Sequence, residues 1–341
     1  MVIFVVEIKV SIIIPVYNAE NFVENSINSV LCQTYSNIEI VIVNDGSTDK
    51  SQEICTKLLQ KDKRIVLVNK TNEGAGKARF VGIQKSRGKY ICFLDADDIM
   101  ETCFVEKMVA ALENNSADLV ECGYCIFSED LLKKHKVFEK NKIYNREQFK
   151  ENVIANTIID GKEAVVLWNK IYRKKLIDQY VQIYAANVLE DYLFNMQYYL
   201  GVEKYVYLNE ELIKYRATED SLSRKYNPEL VSELKKILPL KEQYMEKYCM
   251  NDSKYQKKHA MWYLNYIYNY LKSGIMYQGF VQRTKSVIKD PVTISAAHKV
   301  PEHFWAKDIN RGWYNVCVIK LYVSGIGFWI KRRLYQIKKL L

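Results

Sequence analysis

The chain has 341 residues, enough to bury a substantial core and to form either two domains or one domain with a large appendage. A content of 49% hydrophobic and 26% charged residues is that of an ordinary globular protein and excludes wholesale disorder. The formal net charge of +10 favours anionic partners, but no recognised nucleic-acid motif accompanies it, so no nucleic-acid partner is expected.

The N-terminal part of the chain alternates short apolar runs with amphipathic stretches. Apolar residues recur at helical spacing between the runs, which predicts intervening helices. This alternation predicts an α/β fold with a doubly wound, mostly parallel sheet covered on both faces, as in Rossmann-like proteins. The predicted strands are Lys9–Pro15, Ile38–Val43, Ile65–Asn69, Tyr90–Leu94 and Asp118–Tyr124.

Polar residues between these elements predict where helices begin. Asn18 is expected to cap a helix that runs to about Gln33. Asp49 is expected to cap the next helix, with Gln52 placed for a capping box. The glycines of Asn72–Arg79 open a third helix, which either seats a phosphate or nucleotide edge or is a simple loop and cap.

Three acids follow the buried run Tyr90–Leu94, namely Asp95, Asp97 and Asp98. The carboxyl ends of strands are the usual ligand-binding edge of an open α/β sheet. Crowded carboxylates repel one another, and a hard divalent cation such as Mg²⁺ or Mn²⁺ would relieve that repulsion. The alternative is a solvated acidic turn.

The alternating pattern is lost beyond about Ser128. Lys133–Lys142 is lysine-rich and is expected to be an exposed loop or domain edge, and Pro228–Met276 predicts two or three amphipathic helices. Arg311–Leu341 contains no acid, and its apolar centre is too short and interrupted to span a bilayer. This basic tail is expected to lie on anionic lipid or to pack on the protein itself or on a partner subunit. Met1–Val6 is too short for a signal peptide.

The first part of the chain carries four characteristic segments in order, namely Val10–Asn18, Val43–Asp49, Asn72–Arg79 and Phe93–Asp98. These segments resemble the successive motifs of the inverting glycosyltransferases of family 2, which have the GT-A fold. A fainter resemblance, through Trp168–Lys170, Glu190–Asp191 and Tyr215–Arg216, extends to about residue 223. The family resemblance as a whole implies a GT-A domain over residues 1–225, with a nucleotide-sugar half at 1–127 and an acceptor half at 128–225, followed by a helical region at 226–341.

The resemblance also implies roles for individual residues. In the donor site, Pro15 and Tyr17 would frame the nucleotide pocket, Asp45 would accept a hydrogen bond from uracil, and Arg79 would face the uracil. The acidic DXD motif Asp95-Ala96-Asp97 would approach the ribose through Asp95 and bind Mn²⁺ or Mg²⁺ through Asp97. Asp191 would be the general base, and Trp168, Lys170 and Glu190 would lie on the acceptor side. Asn44 and Thr218 depart from the family pattern, where an aspartate and a histidine are more usual.

The implied function is transfer of a hexose or N-acetylhexosamine from a UDP-sugar to a hydroxyl of a lipid-linked or glycan acceptor. The expected setting is synthesis of capsular polysaccharide or exopolysaccharide, at the cytoplasmic face of the plasma membrane with peripheral contact through the basic tail. The alternative is a nucleotide-sugar-binding subunit without turnover, docked to a partner transferase. A homo-oligomer is left open.

Overall fold

The computed structural model describes residues 9–128, 131–135, 140–161, 165–182, 189–217 and 227–326. The chain forms two compact units, one from Met1–Ile154 with Ala164–Ser221 and one from Ala155–Glu163 with Leu222–Leu341. The expected boundary at residue 225 stays a prediction. The expectations for Met1–Val6, for Thr218 and for the tail beyond residue 326 fall outside the described residues.

The described strands of the first unit form one sheet, in the order β3-β2-β1-β4-β9-β6-β10-β5. Strands β3, β2, β1 and β4 pair in parallel, whereas β9 runs antiparallel to both β4 and β6. Strand β10 is parallel to β6 and also pairs antiparallel with β5 and β8, and β7 pairs with β6. The strands are β1 Val10–Val16, β2 Ile38–Asp45, β3 Ile65–Lys70, β4 Tyr90–Phe93, β5 Ile99–Met100, β6 Leu119–Ser128, β7 Leu131–His135, β8 Lys142–Asn145, β9 Lys170–Arg173 and β10 Lys204–Arg216.

Helices connect the strands of the first unit. The first unit also has a short 3-10 turn, Tyr199–Gly201, whereas a π-helical segment, Lys150–Ile159, begins in the first unit and ends in the second. Strands β1, β2 and β4 are buried along almost their whole length, as expected for central strands covered on both faces. The helices are α1 Val23–Leu31, α2 Ser51–Lys61, α3 Ala75–Lys85, α4 Phe104–Asn114, α5 Arg146–Phe149, α6 Lys174–Tyr180 and α7 Glu190–Tyr198.

The second unit is helical where it is described. Long amphipathic helices α8 and α9 confirm the prediction for Pro228–Met276, and residues 314–326 form a further helix. None of the helices in the described part of the chain combines the length and the hydropathy that a membrane span requires. The helices are α8 Leu230–Lys247, α9 Ser253–Ser273, α10 Phe280–Ile288, α11 Pro291–Lys299 and α12 Ala306–Asn310.

Three local predictions are wrong. Helix α1 begins at Val23 rather than after Asn18, whose side chain instead accepts hydrogen bonds from Thr48 in the next loop. Lys50 occupies the N-cap of α2, although the Asp49 carboxylate does accept a hydrogen bond from the backbone N–H of Ser51. Gln52 forms no capping box, because its side chain accepts a hydrogen bond from Asn44.

The predicted loop at Lys133–Lys142 is also wrong in part, because Leu131–His135 forms strand β7. The backbone of β7 pairs with β6 although the strand contains Lys133 and Lys134. The sheet is mostly parallel, as predicted, and β9 interrupts it because it runs antiparallel to both of its neighbours. The antiparallel pairing of β9 between β4 and β6 could not be read from local pattern, because it joins residues about 80 positions apart along the chain.

Candidate active site

The three acids lie in a tight turn after β4. The backbone N–H of Asp98 donates to the carbonyl of Asp95 at 3.0 Å, which closes the turn. The Asp98 side chain is fully buried, with Oδ1 accepting from the backbone N–H of Arg216 at 2.8 Å. Asp95 and Asp97 are half-buried, and Ala96 between them is buried. The turn therefore presents Asp95 and Asp97 while Asp98 anchors it.

Arg79 holds three carboxylates together. Its guanidinium, only 8% exposed, donates to Asp95 at 2.8 Å through one terminal nitrogen. The other terminal nitrogen donates to Asp191 at 3.0 Å and lies 3.4 Å from Glu190. Helix α7 begins at Glu190, which places both of these acids in its first turn. Arg79 thus joins the turn at Asp95–Asp98, the DXD turn, to the start of α7.

The acids around Arg79 have perturbed pKa values. Burial raises the pKa of Asp191 to about 7, and the charges of Glu190 and Asp95 add to the increase although Arg79 opposes it. The direction is physically expected, because one guanidinium cannot neutralise three carboxylates. Burial, followed by repulsion from Asp95, raises the pKa of Asp97 to about 6. Both groups therefore titrate close to neutral pH.

Asp45 is the last residue of β2, and its carboxylate already accepts several hydrogen bonds. Its carboxylate accepts hydrogen bonds from the Lys70 ammonium at 2.7 Å and from the backbone N–H groups of Glu73 and Gly74. Lys70 lies directly beside it on the parallel strand β3. Asp45 therefore ties β2 to the loop that enters α3, and Lys70 is a site residue that the sequence did not reveal.

The loop after β1 meets the loop after β2. Tyr17 is half exposed, and Asn18 adopts a positive φ of 49°. The backbone N–H of Asn18 donates to Ser47 at 3.1 Å, and that of Glu20 donates to Asp49 at 3.0 Å. These bonds hold the loop after Pro15 and Tyr17 against the loop that follows Asp45.

Arg216, at the end of β10, is a second residue to which the sequence assigned no individual role. Its Nε donates to the backbone carbonyl of Asp97 at 3.0 Å. Its guanidinium lies over the rings of Phe22 and Phe127, at 4.8 and 4.4 Å from their centroids. Such stacking fixes a guanidinium plane. The Arg216 side chain therefore anchors the DXD turn by bonding to the backbone of Asp97.

The expected acceptor residues Trp168 and Lys170 are both buried. The Trp168 ring stacks on Tyr215 at 5.4 Å and meets the edge of Tyr124. The Lys170 ammonium donates to the carbonyl of Val166 and to Asn169. Their acceptor roles stay predictions.

Comparison with known proteins decides the family. A model of glycosyl transferase family 2 matches residues 11–179. The uncharacterized glycosyltransferase EpsJ of Bacillus subtilis is 33% identical over 233 residues, which cover 67% of this chain and 67% of EpsJ. The chain belongs to glycosyltransferase family 2. The resemblance inferred from the motifs is confirmed.

Another relative of this family 2 chain is larger. Glycosyltransferase GlyA of Streptococcus pneumoniae is 35% identical over 223 residues, 64% of this chain and 32% of GlyA. The matched segment thus spans about a third of the length of GlyA.

Solved structures confirm the predicted GT-A fold of the family 2 chain. A crystal structure of S. aureus TarS in complex with UDP has a TM-score of 0.67 at 20% identity and covers 95% of this chain and 91% of that one. A complex of TarS with UDP-GlcNAc has a TM-score of 0.65.

The carboxylates of the turn at Asp95–Asp98 would suit a divalent cation that also binds to substrate phosphates. Within the described residues, no three His, Cys, Asp or Glu side chains are arranged to hold a metal ion. Mg²⁺ is commonly bound by one or two carboxylates together with substrate phosphates, without an all-protein cage. Asp97, which is half-buried, would offer a hard carboxylate oxygen of that kind.

Proposed function

We propose that this protein transfers a hexose or N-acetylhexosamine from a UDP-sugar to a hydroxyl of a lipid-linked or glycan acceptor, with inversion at the anomeric carbon. The setting is synthesis of a cell-surface polysaccharide. The observation that carries the proposal is the Arg79 bridge, which holds Asp191 beside the DXD turn. A proton acceptor is thereby kept at the edge of the sheet where a nucleotide sugar would bind.

Asp191 is proposed as the general base. An acceptor hydroxyl attacks the anomeric carbon from the face opposite the leaving diphosphate, and the Asp191 carboxylate takes its proton. A base with a pKa of about 7 is matched to this task near neutral pH. A single displacement with one such base gives inversion. Glu190 raises the pKa of Asp191 and is proposed to line the acceptor side.

Asp97 is the proposed protein ligand of Mn²⁺ or Mg²⁺. A divalent cation bound there would act as a Lewis acid that offsets the charge of the departing diphosphate. Asp98 and Arg216 keep the turn in shape, through the bonds of Asp98 to the Arg216 N–H and of the Arg216 guanidinium to the Asp97 carbonyl. These bonds fix the backbone from which the Asp97 carboxylate projects.

The donor is proposed to be a UDP-sugar. The UDP and UDP-GlcNAc complexes of TarS, which shares the fold, support this choice of nucleotide. Pro15 and Tyr17 would frame the nucleotide. Because Lys70 and two backbone N–H groups already donate to the Asp45 carboxylate, a uracil N–H would share that carboxylate with these donors or displace one of them.

The rival function is a nucleotide-sugar-binding subunit without turnover. A screen of UDP-sugars with Mn²⁺, read by donor hydrolysis and by thermal shift, separates the two. The proposal expects one donor both to stabilise the protein and to be hydrolysed, because a ligand that binds the native state raises its melting temperature. Stabilisation without hydrolysis or transfer for every donor would support the binding subunit instead.

A further inference from the structure

An exposed apolar face lies in the helical unit. Its residues are between 44% and 67% exposed although all are large and apolar or aromatic. Contiguous exposed apolar surface of this kind marks interaction sites. The apolar face consists of Met276, Tyr277 and Val281 around the start of α10, and Ile319, Tyr322 and Val323 on the helix at residues 314–326.

The two segments pack side by side, so these residues form one surface. The rings of Phe280 and Tyr322 lie 6.3 Å apart. A Cβ added at Gly325 would lie 2.7 Å from the Ile275 side chain, so the helix backbone approaches the end of α9 closely. The hydroxyl of Tyr268 donates to Ser324 at 2.8 Å. Met276 and Tyr277 directly follow Ile275 along the chain.

The helix at 314–326 is apolar on two sides. Cys317, Val318 and Leu321 are buried against the unit, whereas Ile319, Tyr322 and Val323 recur at helical spacing on the exposed side. A helix that is apolar all round normally has both sides covered. The exposed side is therefore an apolar surface that no element of the described helical unit covers.

The charges around this face are basic. Neither Ser253–Lys289 nor Ile309–Leu341 contains an acidic residue. The Arg283 guanidinium donates to the carbonyls of Gly274 and Gln278 at the turn before α10. Arg311 lies over the ring of Trp313, which is itself half exposed. Lys320 is ion-paired with Asp308, so its charge is offset.

We propose that this apolar face is a membrane-docking surface that inserts into the interface of an anionic lipid bilayer. Exposed aromatic and aliphatic side chains on two segments that carry basic and no acidic residues, Ser253–Lys289 and Ile309–Leu341, match the headgroup region of such a bilayer. The choice of lipid rests on the proposed function, in which the acceptor is lipid-linked. The surface extends beyond the basic tail, because the start of α10 supplies half of it.

Charge favours lipid over the two rival occupants. A second copy of the chain would bring two sets of basic residues together, which like-charge repulsion opposes. Residues 327–341 carry five basic residues and no acid, so they too would add positive charge to a basic surface. Anionic lipid instead neutralises it.

The test compares the parent protein with two paired variants. The first combines Met276→Ser and Val281→Ser, and the second combines Ile319→Ser and Val323→Ser. The matched control is Ile143→Ser with Val292→Ser, which removes two exposed aliphatic side chains elsewhere. Each protein is sedimented with phosphatidylcholine vesicles with or without phosphatidylglycerol. We expect the parent and the control to bind only the anionic vesicles, more weakly at high salt, and each paired variant to bind about tenfold or more weakly.

Three results would overturn the docking surface. They are a parent that ignores anionic vesicles, paired variants that bind as the parent does, and a parent dimer in analytical ultracentrifugation that the paired variants lose. Donor hydrolysis and transfer to a soluble acceptor are measured in parallel. A protein that transfers sugar but ignores vesicles contradicts only the surface, whereas one that binds vesicles without turnover contradicts only the proposed function.

Discussion

Asp191 carries the pH dependence at the scale of single residues. Its pKa is raised from 3.8 to about 7, so the base is protonated below that pH. We expect kcat/KM to level off above pH 7, to fall about tenfold per unit of pH between 7 and 6, and to fall more steeply below 6, where Asp97 is protonated as well. The pH profile of transfer measures this. A profile that is flat from pH 5 to 8 would rule out a base with this pKa.

The same raised pKa has a stability consequence of defined sign. The folded protein binds the Asp191 proton more tightly than the unfolded chain does, so ionisation of this group opposes folding. Its contribution to the free energy of unfolding therefore decreases as the pH rises from 3.8 through about 7. Asp191→Asn should remove that part of the pH dependence.

Asp97→Asn tests the metal ligand. We expect loss of transfer and loss of the increase in donor affinity that Mn²⁺ brings, because an amide is a weaker ligand for a hard cation. Calorimetric titration of donor with and without Mn²⁺ measures the change. Asp178→Asn, an exposed acid on α6, is the control and should behave as the parent. Unchanged turnover in Asp97→Asn would remove the proposed metal role.

Strand β10 controls the DXD turn at the scale of elements. Arg216→Ala removes a hydrogen bond to the Asp97 carbonyl and two ring contacts, together about 1–2 kcal/mol. We expect the donor KM to rise about tenfold, since 1.4 kcal/mol corresponds to a factor of ten. Steady-state kinetics check this against Lys214→Ala on the same strand. Equal donor KM values in the two variants would mean that the anchor is unimportant.

The turn after β2 depends on a glycine. Gly46 has a φ of +71°, and a Cβ there would lie 2.7 Å from the backbone nitrogen of Asn72. Gly312 has a φ of +70° with open space around it, so it isolates the cost of the dihedral angle. We expect Gly46→Ala to lower the melting temperature clearly more than Gly312→Ala, because it adds a backbone clash to a strain of about 1–3 kcal/mol. Equal decreases in melting temperature for the two variants would show that the loop after β2 moves to accommodate the added Cβ.

Local pattern predicted the elements but not how they meet. The strands up to β4 and helices α1–α4 follow from apolar spacing, which is a local property. Asn18 was misassigned as a cap because its side chain bonds to Thr48, 30 residues away. The pairing of Asp45 with Lys70 depends on strand register, and the bridge from Arg79 to Asp191 spans 112 positions. Neither is encoded by neighbouring residues, so the motifs supplied candidate residues but not their ion pairs.

At the scale of the whole molecule, the second unit includes Ala155–Glu163 from the middle of the chain. The buried ammonium of Lys241 donates to the carbonyl of Ile159, and Gly161 lies against Trp262. A chain that ends at residue 225 would therefore expose Ile158 and Ile159, which are fully buried. We expect such a chain to aggregate or to unfold without cooperativity.

Thermal unfolding followed by circular dichroism checks this. The control is a chain that ends at residue 326, which keeps every described residue and should melt as the parent does. A soluble 1–225 chain with the parent's cooperative transition would show that Ala155–Glu163 needs no partner in the second unit.

The central claim is that Asp191 accepts the proton of the attacking hydroxyl. Its most direct test is Asp191→Asn with the donor identified in the screen, measuring donor affinity by calorimetry and the transfer rate under single-turnover conditions. The account predicts a donor Kd close to that of the parent and a transfer rate lower by about 10²–10⁴-fold. Transfer at the parental rate would contradict it.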